Sequence, residues 1–157
     1  MAFHFFQSAS DVPSVLKIPG LGLELTVRLP PEASDKALSI IETTNAPGFG
    51  PPLHRHPETE IFRVLTGRYL FEVDGQQFEA GEGEVVSVPG GIAHTFVNIT
   101  NKPAHQFILI LPSMDARTFF ASLGDLFAKG RPSMDALNEF GKPWRVEFLG
   151  PPLAVRK

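Results

Sequence analysis

No cysteine occurs in the 157-residue sequence, which excludes a disulfide framework, a thiolate zinc site and cysteine-ligated iron-sulfur clusters. Charge of one sign is equally scarce: 14 Lys and Arg stand against 17 Asp and Glu, for a formal net charge of −3. With no basic run, the chain lacks the electrostatic footprint of a nucleic-acid binder. No stretch approaches the roughly 18 uninterrupted apolar residues of a membrane span. The opening segment carries Phe3, Phe5 and Phe6 but neither a basic leader nor a continuous apolar core, so it does not read as a secretion signal. Cytoplasmic residence is expected, with neither nucleic acid nor membrane as a partner.

What is present is turn chemistry and apolar mass. Fifteen prolines and fourteen glycines punctuate a chain that is 43% hydrophobic, enough for one core and one domain. From Leu21 to Leu111 short runs of Val, Ile, Phe and Thr alternate with Pro, Gly, Asn and Asp, the signature of an all-β domain. The clearest hairpin spans Tyr69 to Ala80. Asp74-Gly75 supplies its two-residue turn, which would set Phe71 opposite Phe78.

Beyond Pro112 the period changes. Phe119, Phe120, Leu123, Leu126 and Phe127 recur at helical spacing, with Ser113 as the expected N-cap and Gly130 as the stop. A second, shorter helix is expected from Ser133 to Phe140. The tetrapeptide Ser-Met-Asp-Ala, at positions 113 and 133, reflects shared capping chemistry rather than duplication. The apolar helical stripe is expected to pack on the outside of a sheet, with a lid over a pocket as the alternative. The tail from Trp144 onward should dock through Phe148, Leu149 and Leu153. The chain thus divides into an N-terminal arm (1–20), a β-barrel (21–112) and a helical extension with its tail (113–157).

Two glycine-bracketed clusters carry the chemistry. Gly48, His54, His56, Glu60 and Gly67 form the first; Gly83, Pro89, Gly91, His94 and Asn98 form the second. Residues two apart on a strand share a face, so His54 and His56 can reach one ion together, and Glu60 keeps the same parity if the chain stays extended. Three imidazoles and a carboxylate suit one divalent ion: Fe, Mn, Ni, Zn or Co. Gly67 and Gly91 fit positions needing positive φ or a close backbone approach. Asn98 should satisfy backbone groups rather than a metal, and lone His4 and His105 read as structural.

Both clusters resemble the two motifs of the cupin superfamily, the small β-barrel metal proteins. That resemblance covers about Leu21 to Leu111 and implies a double-stranded β-helix, or jelly roll, with metal held by His54, His56, Glu60 and His94. It also implies a homodimer, for which Phe3, Phe5 and Phe6 could offer a partner surface. The C-terminal helices are similar to the extension of cupins labelled quercetin-dioxygenase-like.

By strand parity Phe62, Val64 and Phe96 share the ligands' face and Phe49 lies just before them, so an apolar, aromatic-walled substrate pocket is expected. Arg55 and Arg63 point away, which leaves no evident clamp for a small dianion. The leading expectation is a dioxygenase-type oxidoreductase acting on a small molecule through an enol- or phenol-like oxygen, with Glu60 as ligand or general base. The alternatives are a metal-dependent isomerase or decarboxylase, and a non-catalytic small-ligand binding domain.

Overall fold

The computed structural model describes residues 5–9 and 15–155; Phe3 and His4 lie outside them. Two antiparallel sheets face each other as a jelly roll. The first contains, in spatial order, β1 (Leu16–Ile18), β2 (Leu23–Leu29), β3 (Ser39–Asn45), β10 (Ala104–Leu111), β5 (Thr59–Thr66) and β8 (Val85–Val88). The second contains β11 (Glu147–Pro152), β4 (Pro52–Arg55), β9 (His94–Asn98), β6 (Arg68–Val73) and β7 (Gln76–Gly81). Among the described residues no helix is long and apolar enough to cross a membrane.

Strict alternation makes the central strands one-sided. On β3, Ser39, Ile41, Thr43 and Asn45 are buried, and on β10, Ala104, Gln106, Ile108 and Ile110 are buried, as a period of two requires. The register sets Ile108 between Ile41 and Phe62, and Gln106 between Thr43 and Val64. Rings from both sheets fill the space between them: Phe62 packs 5.4 Å from Phe71 and 5.6 Å from Phe96, edge to face, a favourable aromatic arrangement.

The expected hairpin forms from β6 and β7 with Phe71 opposite Phe78. Asp74 and Gly75 both take positive φ, 50° and 76°, the backbone of a type I′ turn. Asn98 also follows expectation: its Nδ2 donates to the carbonyls of Asn45 and Lys102 at 2.9 and 2.7 Å.

The C-terminal segment departs from expectation in three ways. Helix α1 spans Ala116–Ala128 and is capped by Asp115, not Ser113, because the Asp115 carboxylate accepts from the Thr118 N–H at 3.1 Å while the Ser113 N–H is tied to Lys36 O. In α2 (Met134–Gly141) the same tetrapeptide is capped by its serine, Ser133. Second, the stripe of α1 does not lie on an outer sheet face. Phe119 and Leu123 pack with Leu137, Val146 and Phe148 and close one end of the barrel, where apolar residues of β2 and β3 would otherwise face water. Third, the Pro-rich tail contains a strand. β11 pairs with β4 at the sheet edge, where a missing proline N–H is tolerated.

Candidate metal centre

The three motif histidines converge from two adjacent strands. His54 on β4 and His94 on β9 are direct cross-strand partners, with ring centroids 4.4 Å apart. His56 stands one residue beyond the end of β4, its ring 5.0 Å from that of His94. One ligand nitrogen from each of the three lies within 4.8 Å of the others.

Glu60 arrives differently from the parity argument. The chain leaves the second sheet after Arg55 and re-enters the first at Thr59, so Glu60 crosses the barrel to meet the histidines instead of following them along one strand. Its Oε1 lies 3.4 Å from His56 Nε2 and its Oε2 3.3 Å from His94 Nε2.

Two backbone carbonyls set the ring orientations. His54 Nδ1 lies 2.7 Å from Pro52 O, and His94 Nδ1 lies 2.9 Å from Ile92 O. A carbonyl only accepts, so each Nδ1 donates and Nε2 is the nitrogen left to face a metal. His94 Nε2 is buried and, among the described residues, has no aligned hydrogen-bond partner. A polar atom orphaned in this way, beside two further imidazoles and a carboxylate, is what a divalent-cation site leaves when described without its ion. The donor set fits.

Residues 42–110 match the family model described as a cupin domain. That stretch of the chain is a cupin domain. Solved structures similar to this cupin include KdgF from Halomonas sp. (16% identity, 74% of this chain and 99% of that one, TM-score 0.63). An RmlC-like cupin from Shewanella frigidimarina is also similar (19% identity, 74% and 96%, TM-score 0.62). So is a predicted oxalate decarboxylase from Thermotoga maritima (24% identity, 68% and 99%, TM-score 0.62). An uncharacterised protein of Methanocaldococcus jannaschii is 36% identical over 52 residues, which span 32% of this cupin and 42% of that relative.

Beside the histidines the cupin encloses a cavity of about 90 Å³, room for a small molecule and not for a multi-ring one. Phe62 and Phe96 line it, as strand parity predicts. Val64 is fully buried in the core but is not part of the cavity wall. Phe49, expected in the wall, is instead 42% exposed and stacks over Gly22, because the turn before β4 carries it to the surface. The wall is completed by residues that strand parity did not reach: Phe119 and Leu123 of α1, Phe148 of β11, and Thr43 and Asn45 of β3. The helical spacing of Phe119 and Leu123 was the available signal. Among the described residues no Lys or Arg lines the cavity. Arg55 pairs with Glu147 at 2.7 Å, Arg28 with Glu42 at 3.2 Å, and Arg63 is exposed.

Burial and mutual contact split the ionisation of the metal-free cluster. Burial, with the charges of His94 and His56 added, lowers the His54 pKa to about 3. Burial also opposes a charge on His56, but contacts with Glu58 and Glu60 outweigh it and raise that pKa to about 10. Burial favours a neutral Glu60, yet His56 and His94 hold its carboxyl well below the usual range. In the absence of metal the proton on His56 therefore balances the Glu60 charge.

A pH dependence of stability follows. The raised His56 pKa stabilises the fold fully below the ordinary value of 6.5, and that contribution is lost as pH rises toward about 10. The depressed His54 pKa stabilises the fold above 6.5, and that contribution is lost as pH falls toward about 3. Glu60 adds a further loss below its ordinary value of 4.5. Urea denaturation of chelator-treated protein across pH should show greatest stability near pH 6.5. A stability that climbs steadily to pH 9 would contradict this ionisation pattern.

Proposed function

We propose that this cupin is a divalent-metal enzyme that oxidises a small, largely neutral organic molecule with dioxygen, the molecule binding through an enol- or phenol-type oxygen. The observation that carries this reading is the pairing of the His54, His56 and His94 nitrogens with an apolar cavity walled by Phe62, Phe96, Phe119 and Phe148. A cavity that no Lys or Arg lines among the described residues does not suit a small dianion such as oxalate, which calls for an arginine fork or a lysine. It suits an uncharged body with one acidic hydroxyl.

His54, His56 and His94 would hold the ion, with Glu60 as fourth ligand or as base. When bound, a redox-active ion among Fe, Mn, Ni and Co would supply Lewis acidity and a place for dioxygen beside the substrate oxygen; Zn, which has no redox chemistry, would restrict the site to isomerisation or decarboxylation. Glu60 is anionic and touches both His56 and His94. It is therefore placed to accept the proton of the substrate hydroxyl whenever it is not itself a ligand. Phe119 and Leu123, both buried, add apolar wall to the cavity.

Oxygen uptake by metal-loaded protein, screened against small phenols and enols, tests the reading. Glu60→Gln should still bind metal, with lower affinity, while turnover falls by about 100-fold or more, the usual worth of a positioned base. Parallel loss of occupancy and turnover would remove Glu60 as base. Turnover that continues unchanged without oxygen would assign the site to isomerisation or decarboxylation, and failure to turn over any ligand that binds would make this cupin a binding domain.

A further inference from the structure

The cavity has a second polar feature that the metal centre does not use. Thr43 lines it from β3 and is 5% exposed, yet its Oγ1 has no hydrogen-bond partner among the described residues. Directly across from Thr43 in the β10 register stands Gln106, fully buried, its amide turned to the Tyr69 hydroxyl oxygen without a well-aligned hydrogen bond. The neighbouring Tyr69 hydroxyl does not donate to this pair, because its proton goes to Asn45 Oδ1 at 2.9 Å. That same bond commits the Asn45 oxygen and leaves the NH2 as the group that Asn45, also in the cavity wall, can offer. Three shielded polar atoms on adjacent positions of one sheet face are unfavourable in a dry interior. They are stable when a water or a ligand atom completes them.

We propose that Thr43, backed by Gln106, forms a polar subsite that binds a hydroxyl or carbonyl oxygen of a neutral ligand. Thr43 can both donate and accept, and Asn45, also in the wall, adds a donor, so the subsite recognises an uncharged oxygen. With no Lys or Arg in the wall, it does not select a carboxylate. The inference deepens the metal-enzyme reading and rests on it for one point, that the other end of the ligand sits at the metal. The ligand class is then a small neutral molecule with two oxygen functions separated by an apolar body.

The test compares phenol with catechol, resorcinol and hydroquinone by anaerobic calorimetry, on protein freed of metal by chelator and again on zinc-loaded protein. The chelated arm reads the subsite alone, and zinc uptake in the second arm reads the metal centre, so either can fail without the other. At least one dihydroxy isomer should bind wild-type protein about tenfold more tightly than phenol in both arms. Thr43→Val, which keeps the shape and removes the hydroxyl, should abolish that preference, and in zinc-loaded protein, where the metal takes the phenol oxygen, should change phenol affinity less than about twofold. Thr43→Ser, which restores the hydroxyl, should restore the preference, a rescue that a purely packing role would not give. Equal affinity of wild-type protein for all four probes would overturn the proposal. So would an undiminished preference in Thr43→Val, or a crystal structure with a fixed water on Thr43 that remains when the dihydroxy probe binds.

Discussion

Replacing His94 with Ala should take bound metal from near stoichiometric to below about a tenth of that value, with the fold retained. The histidine supplies one of the three nitrogens that cluster among the described residues, and its Nε2 has no aligned partner there. Even changes to groups that merely orient metal ligands weaken binding by about 10- to 100-fold, so removal of a ligand should cost more than about 100-fold. The structural loss is smaller. His94 is 2% exposed, and truncation leaves a void beside Phe62, whose ring lies 6.3 Å away, but Phe62 keeps its edge-to-face contacts with Phe71 and Phe96, so destabilisation should stay near 1–3 kcal/mol. Elemental analysis of tag-free protein, with circular dichroism beside it, makes the measurement. His105→Ala is the control: His105 contacts Thr66 on another face of the first sheet and should leave metal content unchanged. Full occupancy in His94→Ala would sink the assignment of the centre.

The readable parts of this protein were those in which local chemistry and tertiary context agree. Asp74-Gly75 dictates a turn that few other dipeptides would make, and the register of Phe71 and Phe78 followed from it. Parity located Phe62 and Phe96 because each sits on a regular strand. It failed for Phe49, which stands in a turn with no parity to obey. Glu60 does lie beside His56 and His94, but not by strand parity: the group reaches them by crossing between sheets, which no spacing rule encodes. Strand β11 was hidden by Pro151 and Pro152, whose propensity argues against any strand except an edge. The closure of the cavity by α1 was hidden for a different reason. An amphipathic stripe shows that a helix has something to bury, but Phe119 and Leu123 do not themselves say whether the buried face meets a sheet or a barrel mouth.

Gly50→Ala should be the most damaging glycine substitution near the site, although the φ of Gly50 is not in the left-handed region. A Cβ there would lie 1.7 Å from Phe96 O and 2.8 Å from its carbonyl carbon. Both are backbone atoms of β9, so no side chain can rotate away. The chain must move, and the seam it would open is thin: β4 and β9 share a single cross-strand pair, His54 with His94, flanked by the Asn98 N–H to Phe49 O bond at 3.1 Å and the Gly48 N–H to Asn98 O bond at 2.9 Å. Forcing β4 outward therefore separates the two histidines that the metal requires, and overpacking is coupled directly to loss of the centre. A loss above about 3 kcal/mol is expected, at the severe end for a single substitution, together with metal binding weakened well beyond that of wild-type protein. Gly48→Ala provides the comparison, since its Cβ would meet nothing within 4 Å and only its φ of +75° is strained, a penalty of about 1–2 kcal/mol. Urea midpoints for the two variants, read beside their metal content, separate the explanations. If Gly50→Ala proves as stable as Gly48→Ala and keeps its metal, then the close approach of β4 to β9 is not what brings His54 and His94 together.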